Sequence, residues 1–184
     1  MYEDVACAHC LEFEKAGATQ LDEDVKANLA QVRFHPLSIL DRLSTTSYST
    51  RAADAALCAS DAGVNQFVVY HNLLFGNDLK GKQIQPPENS AGPSNTLLVA
   101  YAQYKSVGMS AAQVTTFTTC VTSKQHYALV AAITDRASQR GISVTPTVIV
   151  NGRTLKTNDL KTLEAAIVAA DATGPAPAPS AGGR

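Results

Sequence analysis

Tyr2-Glu-Asp-Val-Ala-Cys7-Ala-His9-Cys10-Leu11-Glu-Phe13-Glu-Lys15 sets two cysteines, two residues apart, between a short strand-like stub and an apolar periodicity. Leu11, Phe13 and Ala16 fall on one face of a helix, so the spacing predicts a strand-to-helix junction at the motif. A sulfur at a helix start lies beside unpaired N–H groups and the positive end of the helix dipole, and both favour thiolate over thiol. Cys7 therefore reads as a nucleophile. Cys10, one turn deeper and more shielded, is placed to attack a mixed disulfide formed on Cys7. His9 between them can add a donor or a positive charge near the Cys7 sulfur. Two other readings stay open: an inert structural pair, and half of a zinc site, which needs a second Cys/His pair to complete it. Cys58 and Cys120 stand alone in helical segments, which counts against zinc.

At the far end of the chain, Ile142 to Asn151 is rich in β-branched residues and is interrupted by Pro146. A proline inside such a run suggests a cis bond where a strand starts; the alternative is a proline on an edge strand. A cis proline opposite the cysteines would leave the Thr145 backbone groups free to pair with an extended peptide, and its ring would keep metal ligands off the sulfurs. Asn151-Gly152 supplies the positive φ angles of a two-residue hairpin turn.

Working inward, Val25, Leu29 and Val32 continue a helical pattern after Asp22-Glu23-Asp24, and Gln31 to His35 alternates like a second strand that Pro36 closes. From Leu37 to Gln139 the periods are helical. Helices are predicted over 50–61, stopped by Gly63, over 64–75, stopped by Gly76, and over 97–107, 111–121 and 127–139, the last capped by Gly141. Residues 77–93 collect Gly, Pro, Asn and Ser and read as a surface loop. Leu160, Leu163, Ile167 and Val168 mark a closing amphipathic helix. The Gly/Pro/Ala/Ser tail, 173–184, cannot bury apolar surface and reads as disordered. No internal repeat is visible.

Composition sets the outer bounds. A chain of 184 residues that is 45% hydrophobic and 17% charged is globular, and its formal net charge of −1 comes without any Lys/Arg cluster. Nucleic acid and anionic membrane surfaces are therefore poor partners. A chain this long buries roughly 70% of its unfolded surface, so the core does not depend on a metal or a dense disulfide net. No apolar stretch reaches the ~20 residues of a spanning helix, and no signal peptide opens the chain. His35 and His71 read as structural residues, since neither has a second ligand at metal-site spacing, His126 as a residue that caps or precedes a helix, and Glu12, Glu14, Asp41 and Arg42 as solvated or locally paired charges. No P-loop, dinucleotide fingerprint or Ser/His/Asp arrangement is present.

Together these residues resemble the thioredoxin superfamily, and more closely the DsbA-like thiol:disulfide oxidoreductases of actinobacteria. The resemblance rests on residues 2–15 and on Gly141-Ile-Ser-Val-Thr-Pro-Thr-Val-Ile-Val-Asn-Gly152. Phe34-His-Pro-Leu, Leu40-Asp-Arg, Tyr48-Ser-Thr-Arg-Ala-Ala, Tyr70-His71 and Leu74-Phe75 support it. It implies an α/β thioredoxin-like fold over 1–172, interrupted by an inserted all-helical domain at about 42–139, with the N-terminal strands largely missing. It implies Cys7 as attacking cysteine, Cys10 as its partner, Pro146 as cis proline, and a second, structural disulfide between Cys58 and Cys120. Closing that 62-residue separation would stabilise the fold by ~4 kcal/mol in the chain-entropy model.

The function implied is oxidation of reduced, secreted substrate proteins, with no cofactor or metal and with reoxidation by a VKOR-like or DsbB-like membrane protein. A structural disulfide fits an extracytoplasmic setting. Reduction or isomerisation by the same residues, or peptide binding without turnover, are the alternatives, since direction follows potential and partners. The sequence departs from the pattern twice. Ala8 stands where many relatives have Pro, and the position of the acidic residue usually buried beneath the cysteines falls on Met1. The short stub before Cys7 leads to the expectation that the native product continues upstream with the rest of its strand and a signal peptide or anchor.

Overall fold

A computed structural model describes residues 1–155 and 160–171. Strand β1 (Tyr2–Glu3) leads into helix α1 (Ala8–Lys26), and β2 (His35–Pro36) pairs with β1 in parallel, Tyr2 opposite His35. After a 3-10 turn (Asp41–Leu43) come five helices: α2 (Tyr48–Ala62), α3 (Val64–Leu74), α4 (Asn95–Ala102), α5 (Ala111–Ser123) and α6 (Tyr127–Gln139). The chain returns through the hairpin of β3 (Ile149–Val150) and β4 (Arg153–Thr154), and α7 (Leu160–Asp171) follows. Tyr2 and Thr147 exchange two hydrogen bonds of 2.9 Å, an antiparallel bridge that ties the two ribbons edge to edge.

The period of two along a strand then assigns the layers. Met1 packs with Phe13, Leu21, Val148, Leu163 and Ile167 between the sheet, α1 and α7. Tyr2, next along, turns to the other face and packs with Leu37, Ala137 and Ile142 under α6. The largest core lies among the helices, where Ala52, Ala55, Ala56 and Ala59 of α2 are buried against Tyr70, Leu98, Phe117 and Val121. Alanine at these positions lets neighbouring helices approach closely, and α2 is the central helix of the group. Cys58 of α2 and Cys120 of α5 form a disulfide with Cα atoms 5.9 Å apart.

The helix ends show where local sequence decided the structure and where it did not. Gly141 has φ +76°, with Gly141 N–H on Ser138 O and Ile142 N–H on Ala137 O, the paired hydrogen bonds of a Schellman cap. Gly63 follows α2 at φ +138° and ψ 163°, a conformation for glycine but not the left-handed cap expected. Gly76 is not left-handed at all: Phe75 ends α3, and what restricts Gly76 is the Asn72 carbonyl, 3.2 Å from where a Cβ would stand. Helix α1 stops at Lys26 rather than running on through Leu29, which is half exposed, so the Val25–Leu29–Val32 pattern is not a buried helical face. Pro36 closes β2, as expected, but the strand is only His35–Pro36 and not the run from Gln31. The hairpin turn forms as expected, with φ +45° at Asn151 and +82° at Gly152. The tail at 173–184 lies outside the described residues.

Candidate active site

The loop between β1 and α1 delivers Cys7 as the residue that caps α1, with φ −81° and ψ 118°, and Cys10 one turn on. Two buried side chains hold that loop. Asp4, fully buried, accepts from Ala6 N–H through Oδ1 and from Leu40 N–H through Oδ2, both at 2.9 Å. Gln85 reaches in from the loop after α3 and donates from Nε2 to the carbonyls of Val5 and Cys7, each at 2.8 Å. Across the site, the Tyr2–Thr147 bridge fixes the segment carrying Thr145–Pro146, whose peptide bond is cis. The Cys7 sulfur lies 3.2 Å from the Thr145 carbonyl oxygen, to which it donates when protonated, and so brings together residues 138 apart in sequence. Thr145 N–H makes no hydrogen bond among the described residues, and Val144 beside it is 66% exposed.

Both thiols are free, and their environments push them apart. Cys7 is drawn down to about 5: the Cys10 thiol bonds to it, burial opposes, and the Thr145 side chain and the N–H groups of Cys10 and His9 add to the fall. Cys10 has no exposed surface, and burial, then Cys7 and Glu3, drive it far above the ordinary thiol range. One sulfur is thus a thiolate at neutral pH and the other a thiol. The His9 ring takes no part: it is 80% exposed and turned to Glu12 Oε2, 3.3 Å away. What His9 brings to Cys7 is its backbone N–H, where the sequence suggested the ring.

Behind the cysteines lies a charged interior that residue patterns did not disclose. Glu3 Oε1 and His71 Nε2 are 3.0 Å apart, Asn72 Oδ1 is 3.1 Å from His71 Nδ1, and a carboxylate oxygen of Glu14 completes a group of donors within 4.8 Å of one another. All three residues, Glu3, Glu14 and His71, are buried. Burial alone would lower His71, but Glu3, Glu14 and Asn72 outweigh it and hold the ring at about 9. Burial and the Glu3 charge raise Glu14 to about 8. These directions keep a proton on the His71 ring and one on Glu14 at pH 7. Glu14, read from sequence as a solvated charge, is therefore an interior acid, and Glu3 and Glu14 supply the buried acidity that the position of Met1 lacks.

Elsewhere, Asp41 accepts from the backbone N–H and the hydroxyl of Thr50, and His126 precedes α6 with its N–H on buried Asp54 and its ring on Asp61. His35 stacks on Tyr2 with ring centroids 4.4 Å apart.

Comparison with known proteins agrees with this geometry. A thioredoxin family model (Thioredoxin_4) matches residues 1–169. Reduced DsbG of Mycobacterium tuberculosis superposes with a TM-score of 0.74 at 27% identity, over 96% of this chain and 77% of that one. Oxidised DsbA of the same organism gives 0.74 at 29%, over 90% and 78%. The thiol-disulfide oxidoreductase MdbA of Corynebacterium diphtheriae, at 23% identity and a TM-score of 0.70 over 90% and 80%, shares the fold. The serine/threonine-protein kinase PknE of M. tuberculosis is 34% identical over 95 residues, which are 50% of this chain and 16% of the kinase, so the chain spans only a small part of that relative's length. In sequence and fold, the chain belongs to the thioredoxin family, among the DsbA-like thiol–disulfide oxidoreductases.

Proposed function

We propose that this chain oxidises cysteine pairs in secreted proteins by handing over a Cys7–Cys10 disulfide. The observation that carries the reading is the opposite displacement of the two thiols, Cys7 far down and Cys10 far up. A stabilised Cys7 thiolate stabilises the reduced form of the pair, and a stable reduced form makes the disulfide a strong oxidant.

The reaction then runs in two exchanges. A substrate thiolate attacks Cys7 Sγ, a substrate–Cys7 disulfide forms, and Cys10 leaves as a thiolate that takes up a proton. A second substrate thiolate attacks the substrate sulfur of that mixed disulfide and expels the Cys7 thiolate, a good leaving group because its pKa is low. Two electrons pass from substrate to the Cys7–Cys10 pair. Thr145 and Pro146 form the docking edge: the open Thr145 N–H and exposed Val144 suit an extended peptide that pairs in strand fashion while its cysteine reaches Cys7. In this reading helices α2–α6 are the inserted helical domain, with the Cys58–Cys120 disulfide holding it together. A membrane-bound, quinone-linked VKOR-like or DsbB-like protein accepts the electrons, and the work is done outside the cytoplasm. Among the described residues no helix is long and apolar enough to cross a membrane.

Mixing the oxidised chain with a reduced two-cysteine peptide tests this. The expected result is one peptide disulfide per chain, abolished by Cys7→Ala. An oxidised chain that leaves the peptide reduced, yet binds it, would make the protein a peptide-binding module instead.

A further inference from the structure

The Cys58–Cys120 disulfide does not stand alone. Asp61 lies one helical turn after Cys58, so both project from one face of α2. Cys120 sits near the end of α5, and His126 follows in the tight turn to α6, where Gln125 N–H bonds back to Cys120 O at 3.1 Å and Lys124 is left-handed at φ +59°. Donor atoms of Cys58, Cys120 and His126 all lie within 4.8 Å of one another. Asp61 Oδ2 is 2.8 Å from His126 Nε2 and 3.9 Å from Cys120 Sγ. Three donors of the types zinc takes, two sulfurs and an imidazole nitrogen, therefore converge from two segments far apart in sequence, with the Asp61 carboxylate beside the imidazole and one of the sulfurs.

We propose that reduction of the Cys58–Cys120 disulfide turns this cluster into a zinc site, with Cys58, Cys120, His126 and Asp61 as its four ligands. Tetrahedral zinc, with bonds of ~2.0–2.3 Å, sets its donors about 3.3–3.8 Å apart; Asp61 Oδ2 now stands 3.9 Å from Cys120 Sγ and 2.8 Å from His126 Nε2. The two sulfurs, joined in the oxidised form, have to part, and Cα atoms 5.9 Å apart leave them room to do so by side-chain rotation, while the partly exposed Asp61 carboxylate shifts from the imidazole towards the ion. The rest of the site is held independently of the metal. The His126 backbone N–H is fixed by buried Asp54 at 2.8 Å, and Gln125 Nε2 bonds Asp61 Oδ2 at 3.3 Å, a partner that orients a ligand. The sulfurs are buried, whereas the Asp61 side chain is 41% exposed and that of His126 17%, so an ion reaches the sulfurs past these two.

The chemistry balances with a dithiol or phosphine as reductant. It supplies two electrons, the S–S bond breaks, and two protons from water complete the Cys58 and Cys120 thiols. Zinc then displaces both protons to solvent and takes the thiolates. Disulfide and metal are mutually exclusive states of one cluster: before the cysteines are oxidised, zinc holds α2 to α5 and the α5–α6 turn, and afterwards the covalent bond does. The inference concerns a site apart from Cys7 and Cys10 and stands whichever way the proposed redox reaction runs.

The test uses the full chain carrying Cys7→Ser and Cys10→Ser, so that Cys58 and Cys120 are the only cysteines. Zinc is titrated into the oxidised and the phosphine-reduced protein, and cobalt(II) is used as a spectroscopic probe of the same site. The expected result is one zinc per reduced chain and none per oxidised chain, with cobalt giving the intense bands of a tetrahedral thiolate site. His126→Ala and Asp61→Ala should each weaken the reduced chain's affinity by at least about tenfold. Should the reduced chain unfold, zinc is expected to restore its helical circular dichroism. No binding to the reduced chain, an unfolded chain that zinc leaves unfolded, or binding indifferent to both substitutions overturns the proposal.

Discussion

At the level of single residues, the chemistry turns on what surrounds two chemically identical thiols. Cys7 meets a thiol donor, a threonine and the open N–H groups of a helix start, whereas Cys10 meets burial and the charge of Glu3. Ultraviolet absorbance of thiolate in the reduced chain should therefore show one transition with its midpoint at about 5, lost in Cys7→Ala, with Cys10 silent through the neutral range. A midpoint in the ordinary thiol range of ~8–9 would contradict the electrostatics of the site. The same titration separates ring from backbone at His9. Because the ring faces Glu12 and only the N–H serves Cys7, His9→Ala should leave the midpoint in place.

Among the elements, the cysteine-bearing turn depends on a residue from a distant loop. Gln85 satisfies two buried carbonyls of the Val5–Cys7 turn, and Gln85→Leu leaves both without a donor. That loss should destabilise the fold by about 1–3 kcal/mol and slow exchange with a reduced peptide several-fold, because the turn that aims Cys7 is loosened. A Leu variant with wild-type melting temperature and rate would remove Gln85 from the account. The example also marks how far sequence reading reaches. The Cys7–Cys10 spacing, the proline in a β-branched run and the Asn151-Gly152 turn are local signals, and the structure realises each within a few residues. Gln85 sits among Gly, Pro and Asn that read as a surface loop, and its partners are 78 and 80 positions away. Glu14 reads as a solvated charge because nothing near it in sequence hints that Glu3 and His71, themselves 68 residues apart, meet beside it in the interior. Asp61 and His126 escaped for the same reason: a donor set split between α2 and the end of α5 with its following turn has no linear spacing to recognise. Gly76 erred differently, since a glycine after a helix can answer to close packing instead of a left-handed cap.

For the molecule as a whole, the buried acid–base group ties stability to pH. The folded chain holds protons that the unfolded chain gives up earlier: on Asp4 up to about 6, on Glu14 up to about 8 and on His71 up to about 9. For His71, raised above its ordinary 6.5, the contribution is fully present below pH 6.5 and is lost as pH rises through 9. Denaturation of the chain with both disulfides formed, so that no thiol titrates, should show stability falling with pH across this window, roughly 3 kcal/mol of the fall coming from His71. In His71→Asn the fall above neutrality should flatten; an equally steep profile in the variant would place the linked proton elsewhere. The central claim concerns the balance between the two forms of the Cys7–Cys10 pair, and its reduction potential against glutathione, measured with Cys58–Cys120 kept oxidised, addresses it most directly. The expected value lies well above the roughly −270 mV of thioredoxin and towards the roughly −120 mV at the oxidising end of the superfamily. A thioredoxin-like value would contradict it, and would make the chain a reductase fed by an electron donor.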